Sequence, residues 1–140
     1  MAGTIVADTI QADSTSTLVL KNGVANTPPT IQDSAGTQIG TFCRAWVNFN
    51  GTGTVAIRAS FNVTSITDHG TGDYTVNFTN ALPDASYAFL GSCGRGISSQ
   101  DSLVNENVST IPTTSAVRFG TTTSAGTLVD MTYVNVGIFR

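Results

Sequence analysis

Cys43-Arg44-Ala45-Trp46-Val47-Asn48-Phe49 alternates strictly, with Cys43, Ala45, Val47 and Phe49 on one side of the chain and Arg44, Trp46 and Asn48 on the other. A period of two is the signature of a half-buried β-strand. Asn50-Gly51-Thr52-Gly53 supplies turn residues, and Thr54 to Ser60 returns with Val55, Ile57 and Ala59 expected on one face. The two runs therefore read as a β-hairpin.

The pattern repeats downstream. Val63 to Thr67 leads into the Asp68-His69-Gly70-Thr71-Gly72-Asp73 turn, and Tyr74, Val76 and Phe78 then share a face. Tyr87 to Cys93 forms the next strand, followed by a stretch to about Asn107 read as the longest loop of the region. Two more strands are expected, around Ala116 to Phe119 and from Thr127 to Phe139, with Leu128, Val134, Val136 and Ile138 facing the same way as Asp130 and Thr132. Seven or so strands joined by short turns imply an antiparallel sandwich or small barrel.

Composition agrees with an all-β class. The 140-residue chain is only 11% charged, with one lysine (Lys21) and one glutamate (Glu106), so the strongest surface helix formers are nearly absent. Thr, Val, Ile, Tyr and Phe dominate, punctuated by 14 glycines. A formal net charge of −3 lacks the clustered Lys and Arg that nucleic acid or an anionic membrane surface requires, and no apolar run approaches a membrane span. Neither nucleic-acid binding nor membrane insertion is expected.

All 11 aromatic residues lie from Phe42 onward, which divides the chain into residues 1–41 and 42–140. The first part has short apolar clusters, carried by Ile5, Val6, Ile10, Leu18, Val19 and Leu20, separated by turn chemistry at Asn22-Gly23, Pro28-Pro29 and Ser34-Ala35-Gly36. These clusters are too small to build a core alone. They are expected to bury themselves against other copies of the chain or against a docking surface, making this part an extended stem and the second part the head.

Catalytic chemistry is thin in this sequence. His69 is the one histidine and falls in a Gly/Asp-rich turn, and there is no nucleophile-elbow pattern to recruit it. Asp68, His69 and Asp73 are possible metal ligands by type, but Asp and Gly are also what a hairpin turn needs for its own hydrogen bonds and positive φ. Gly91-Ser92-Cys93-Gly94-Arg95-Gly96 is glycine-rich after a strand, yet no helix follows and the phosphate-binding lysine is missing. No catalytic, metal-binding or cofactor-binding residue is assigned. Met1 is read as a true start without a leader, so Cys43 and Cys93 are expected to be free thiols behaving as small hydrophobes. Trp46, Tyr87 and Tyr133 are the candidate carbohydrate-binding residues, because aromatic faces stack on sugars; the competing role for each is packing within the sandwich or between subunits.

The stretch Pro28-Pro29-Thr30-Ile31-Gln32-Asp33-Ser34-Ala35-Gly36-Thr37-Gln38-Ile39-Gly40-Thr41, continuing through Cys43 to Gly51, Asp68 to Phe78 and Leu82-Pro83-Asp84 to Tyr87, resembles a segment of phage fibre and other virion structural proteins of marine and freshwater type. The resemblance covers about residues 28 to 93. It implies a homotrimeric virion appendage whose N-terminal stem attaches to capsid, neck or tail proteins and whose β-rich head is available to the host. The expectation is thus an all-β chain with an extended stem and an antiparallel β-sandwich head, jelly-roll-like or Ig-like. Its expected function is a non-enzymatic fibre for host-surface adhesion, the alternatives being a trimeric capsid decoration (cement) protein or a lectin-like module for host surface glycan.

Overall fold

The computed structural model describes Leu20, Gly23 and residues 28–95, 102–106 and 110–140. Among these residues the regular structure is β-strand throughout, in ten strands. They are β1 (Ile31–Gln32), β2 (Gln38–Gly40), β3 (Cys43–Asn50), β4 (Ala56–Phe61), β5 (Val63–Gly70), β6 (Asp73–Phe78), β7 (Ala88–Gly94), β8 (Ser102–Glu106), β9 (Ala116–Thr123) and β10 (Tyr133–Phe139). β1 and β2 form a separate hairpin; the other eight make two four-stranded antiparallel sheets, ordered β4-β3-β10-β7 and β5-β6-β9-β8.

The two sheets meet face to face through the residues that the alternation points inward. Ala45, Val47 and Phe49 of β3 and Val134, Val136 and Ile138 of β10 pack against Tyr74, Val76 and Phe78 of β6 and Val117 and Phe119 of β9. Phe49 meets Tyr74 edge-on at 5.2 Å and Phe119 at 6.3 Å, so aromatic pairs bridge the sheets at the centre of the sandwich. The two middle strands of each sheet carry most of this core, and the outer strands β4, β5, β7 and β8 are largely exposed.

The chain leaves the first sheet for the second at Asn62, the one described non-glycine residue with positive φ (54°). A short amide side chain tolerates that conformation and here uses it. Asn62 Nδ2 donates to the carbonyls of Arg44 (3.0 Å) and Asn80 (3.1 Å), and Oδ1 accepts from the Asn80 backbone N–H (2.8 Å). One residue thus turns the corner and stitches both sheets to the following loop.

Several expectations need correction. The stretch read as a loop after Cys93 contains β8, whose inward apolar signal is the single residue Val104, packed where a Cβ on Gly91 would lie 2.5 Å away. The last strand starts at Tyr133 rather than Thr127: Gly126 (φ 81°) turns the chain, and residues 128–131 cross the end of the sandwich, burying Met131 and leaving Leu128 exposed. β4 does pair with β3, but a bulge at Arg58 places Ile57 opposite Phe49 and Ala59 opposite Asn48, so these two do not share a face. His69 lies within β5, not in the turn, and its Nε2 is 2.9 Å from Thr75 Oγ1.

Both cysteines are free. Cys43 lies opposite Phe139 and Cys93 opposite Val134 on either side of β10, five residues apart along that strand, roughly 17 Å, far beyond disulfide reach. Burial pushes the Cys93 thiol above its ordinary pKa, which lowers its reactivity. Thiol-blocking under denaturing, non-reducing conditions is expected to add two labels per chain by mass; an unlabelled chain would contradict this.

Candidate functional site

In a two-sheet sandwich the two inner faces make the core and the two outer faces ordinarily meet water with polar residues. The outer face of β5-β6-β9-β8 follows that rule over β5, β6 and much of β9, with the exposed Leu103 and Leu128, the latter lying over Gly120, as its apolar residues. Asn77 Nδ2 donates to Thr67 Oγ1 (2.9 Å) and Ser65 Oγ (3.1 Å), Asn105 Nδ2 donates to Thr122 Oγ1 (2.9 Å), and Arg118 makes a two-pronged pair with Asp73 at 2.9 and 2.6 Å. The Arg118 hydrogen bond holds the Asp73 carboxyl below the usual carboxylate range against the opposing effect of its partial burial. With a folded pKa lower than the unfolded one, this pair contributes stability above about pH 4 that is lost as pH falls through the depressed value. Acid unfolding of Arg118→Met is therefore expected to show less loss of stability between pH 5 and pH 2 than the parent chain; equal loss would contradict the linkage.

The outer face of β4-β3-β10-β7 is different. Register places Phe61, Trp46, Gly137 and Leu90 in one row across its four strands, and Ala59, Asn48, Asn135 and Ser92 in the next. Phe61, Trp46 and Leu90 are 54%, 40% and 54% exposed, which is high for large apolar side chains in neighbouring strands. Between Trp46 and Leu90, Gly137 contributes no side chain, and a trough of about 440 Å³ opens there, lined by Trp46, Asn48, Leu90, Ser92, Asn135 and backbone of Val136 and Gly137 among others.

A polar ladder floors one side of the trough. Asn48 Nδ2 donates to Asn135 Oδ1, and Asn135 Nδ2 donates to Ser92 Oγ at 3.3 Å. Further along the face, Tyr133 is half exposed with the Arg58 guanidinium 4.7 Å above its ring, and Arg58 also donates to the Thr132 carbonyl at 2.6 Å. No carboxylate projects from this face.

Of the three aromatic candidates, Trp46 and Tyr133 come together on this one face. Tyr87 does not. It packs edge-on against Phe78 at 5.9 Å, and its hydroxyl donates toward the Thr113 and Ala116 carbonyls at 3.2 and 3.1 Å. Burial raises its pKa to about 12, consistent with a structural hydroxyl. Ile5, Val6, Ile10, Leu18 and Val19 lie outside the described residues, and Leu20 is exposed.

The sequence reading missed Phe61, Leu90, Asn48, Asn135, Ser92 and Gly137 as members of a site. Parity alone turns Asn48, Asn135 and Gly137 outward; the missing information was that β10 sits between β3 and β7 in this register.

The carboxylates of residues 42–140 whose contacts are described serve local structure. Asp68 accepts from the Gly70 N–H, Asp73 pairs with Arg118, Asp84 pairs with Arg140, and Asp130 accepts from the Gly72 N–H and the Tyr74 hydroxyl. Among the described residues no group of three His, Cys, Asp or Glu side chains is placed to share a metal ion. Comparison of the chain with protein-family models, curated proteins and solved structures finds no match.

Proposed function

We propose that this chain is a phage virion structural protein, a short homotrimeric fibre held to the particle through its N-terminal stem and exposing the β-sandwich head for host-surface adhesion. The observation that carries the reading is the contrast between the two outer faces. One is knit by cross-strand hydrogen bonds and an ion pair, with two exposed leucines, Leu103 and Leu128, at one side; the other sets Trp46, Phe61, Leu90 and Tyr133 beside amide groups with unused bonding capacity, as a surface built to bind does. The resemblance of residues 28–93 to fibre proteins supports the same assignment.

The stem supports the trimer part of the proposal. β1 and β2 form a two-stranded hairpin with Ile31 and Ile39 exposed at 44% and 65%, and an isolated hairpin of this size is marginal in water. Further copies of the same hairpin around a threefold axis would cover those side chains and the unpaired strand edges.

Antibody labelling of purified particles, together with sedimentation of the full chain, tests the proposal. A trimer in solution and label at the particle surface are expected, and a chain lacking residues 1–41 should remain a soluble β-rich head that no longer joins particles. A stable monomer at micromolar concentration would remove the trimer, and full retention of the truncated head would move attachment into the head. Label spread over the shell, rather than at a tail, neck or fibre position, would favour a decoration protein.

A further inference from the structure

We propose that the trough over Gly137 is a binding site for an uncharged pyranose ring, the exposed sugar of a neutral surface glycan, with Trp46 as the stacking platform and Asn48, Asn135 and Ser92 as its hydrogen-bonding partners. This rests on the adhesive reading of the head and names the ligand class of that face.

The glycine is the first reason. Gly137 sits in the middle of a central strand, where glycine weakens the sheet and normally answers a positive φ or a close backbone approach. It is not among the positive-φ residues, and no backbone atom comes near an added Cβ; the Phe139 ring, two residues on and on the same face, lies 3.3 Å from that position and takes one side of the space. The missing side chain also lowers the floor between Trp46 and Leu90, whose strands lie either side of β10, roughly 10 Å apart. The gap that results has the indole on one wall and an aliphatic side chain on the other, which suits a ring with an apolar face and a polar rim.

The ladder is the second reason. Asn48, Asn135 and Ser92 spend one donor of each amide on one another, which leaves a second N–H on each amide, the Asn48 carbonyl oxygen and the Ser92 hydroxyl hydrogen without a partner among the described residues. Donors and acceptors then alternate along the trough within a few ångströms. Sugar hydroxyls, each both donor and acceptor, complement such a row; an apolar protein surface laid over it would strand these groups without partners.

Charge and the polar row select among the occupants. The trough is lined by uncharged side chains; of the cations on the same face, Arg58 is committed to Tyr133 and the Thr132 carbonyl, and Arg44, two residues before Trp46, lies beside Phe61 and Asn62 outside the lining, so an acidic sugar or phosphate would find no cation inside the trough. Phe61, Trp46, Leu90 and Tyr133 together expose on the order of 400 Å², ample for a saccharide. What disfavours a second copy is the polar row, whose unspent donors and acceptors an apolar partner surface would strand.

Trp46 is the only tryptophan in the chain, so its emission reports on the site directly. The full-length chain should be applied to an array of neutral oligosaccharides (hexose and N-acetylhexosamine) and acidic ones (sialylated and uronate-containing), and then titrated with the best neutral binder while Trp46 fluorescence is followed. Binding confined to neutral glycans, with a saturable change in emission, is expected. Gly137→Val, which fills the slot with a residue that suits a strand, should weaken it at least tenfold with unchanged circular dichroism and sedimentation, and Asn135→Ala should weaken it several-fold. No neutral binder, preference for acidic glycans, or affinity indifferent to Gly137→Val would overturn the assignment, as would a change of oligomeric state in Gly137→Val, which would make the slot a contact between copies. Adsorption of the labelled chain to phage-susceptible cells separates this from the adhesive reading: adsorption that survives Gly137→Val removes the site and leaves adhesion standing, whereas absence of adsorption by the parent chain removes adhesion itself.

Discussion

Phe119→Ala is expected to remove about 3–5 kcal/mol of folding stability, a large part of the 5–15 kcal/mol typical of a domain. Phe119 is fully buried and its ring touches three others, Phe89 at 5.4 Å, Tyr74 at 6.0 Å and Phe49 at 6.3 Å. Two of these partners lie on β3 and β7, across the sandwich from β9, so the lost side chain is one that holds the sheets together. Neighbours anchored on two hydrogen-bonded sheets cannot collapse fully into the space, and the cavity cost adds to the lost transfer free energy. Trp46→Ala, on the outer face, should cost far less, within about 1 kcal/mol, although it removes a larger residue. Urea unfolding followed by far-ultraviolet circular dichroism at one fixed protein concentration measures both, and the fixed concentration matters because association stabilises the folded state. Equal losses for the two variants would mean that Trp46 is as buried as Phe119 in the assembled protein, and would overturn its placement on an open face.

Gly72→Ala should be nearly as damaging through a different mechanism. Gly72 has φ 67°, and a Cβ there would lie 2.5 Å from the Val129 nitrogen and 2.6 Å from the Thr121 carbonyl oxygen. Both are backbone atoms in a hydrogen-bonded knot: the Thr121 N–H donates to the Gly72 carbonyl, the Val129 N–H to the Thr121 carbonyl, and the Gly72 N–H to Asp130 Oδ1 at 2.7 Å. The same aspartate accepts from the Tyr74 hydroxyl at 2.8 Å, a proton shared with the Gly51 carbonyl; burial and the Asp130 carboxylate push the Tyr74 pKa far above its ordinary value, so the hydroxyl keeps that proton. Making room for a methyl group must pull this knot apart, at roughly 1 kcal/mol for each bond lost, besides the 1–2 kcal/mol of the left-handed conformation itself. A total of about 3–5 kcal/mol follows. Gly53 provides the control, because it has nearly the same φ (62°) and nothing within 4 Å of the added Cβ. Gly53→Ala should lose only the conformational part, and a Gly72→Ala loss no greater than that of Gly53→Ala would show that the close approach does not govern this position.

What the sequence by itself determined is local. The alternation in Cys43 to Phe49, in Tyr74 to Phe78 and in Val134 to Ile138 determined which side chains enter the core, because a strand's period of two is a property of the backbone and does not depend on what lies next to it. The near absence of Lys and Glu, with Thr, Val, Ile, Tyr and Phe dominant, determined the all-β class for the same local reason. Where a signal depended on neighbours, it failed. β8 carries one inward apolar residue and exists because it pairs with β9; the bulge at Arg58 reverses a face without any change in composition; residues 128–131 read as the start of the last strand but are drawn across the end of the sandwich by hydrogen bonds with Gly51, Gly72 and Thr121. The candidate site belongs wholly to this second kind. Trp46, Asn48, Leu90, Ser92, Asn135 and Gly137 come from three strands spread over 92 positions, and only the order β3-β10-β7 and its register bring them into one trough. Strand order is set by the long-range burial of two faces against each other, a property of the folded whole that no stretch of the chain carries alone.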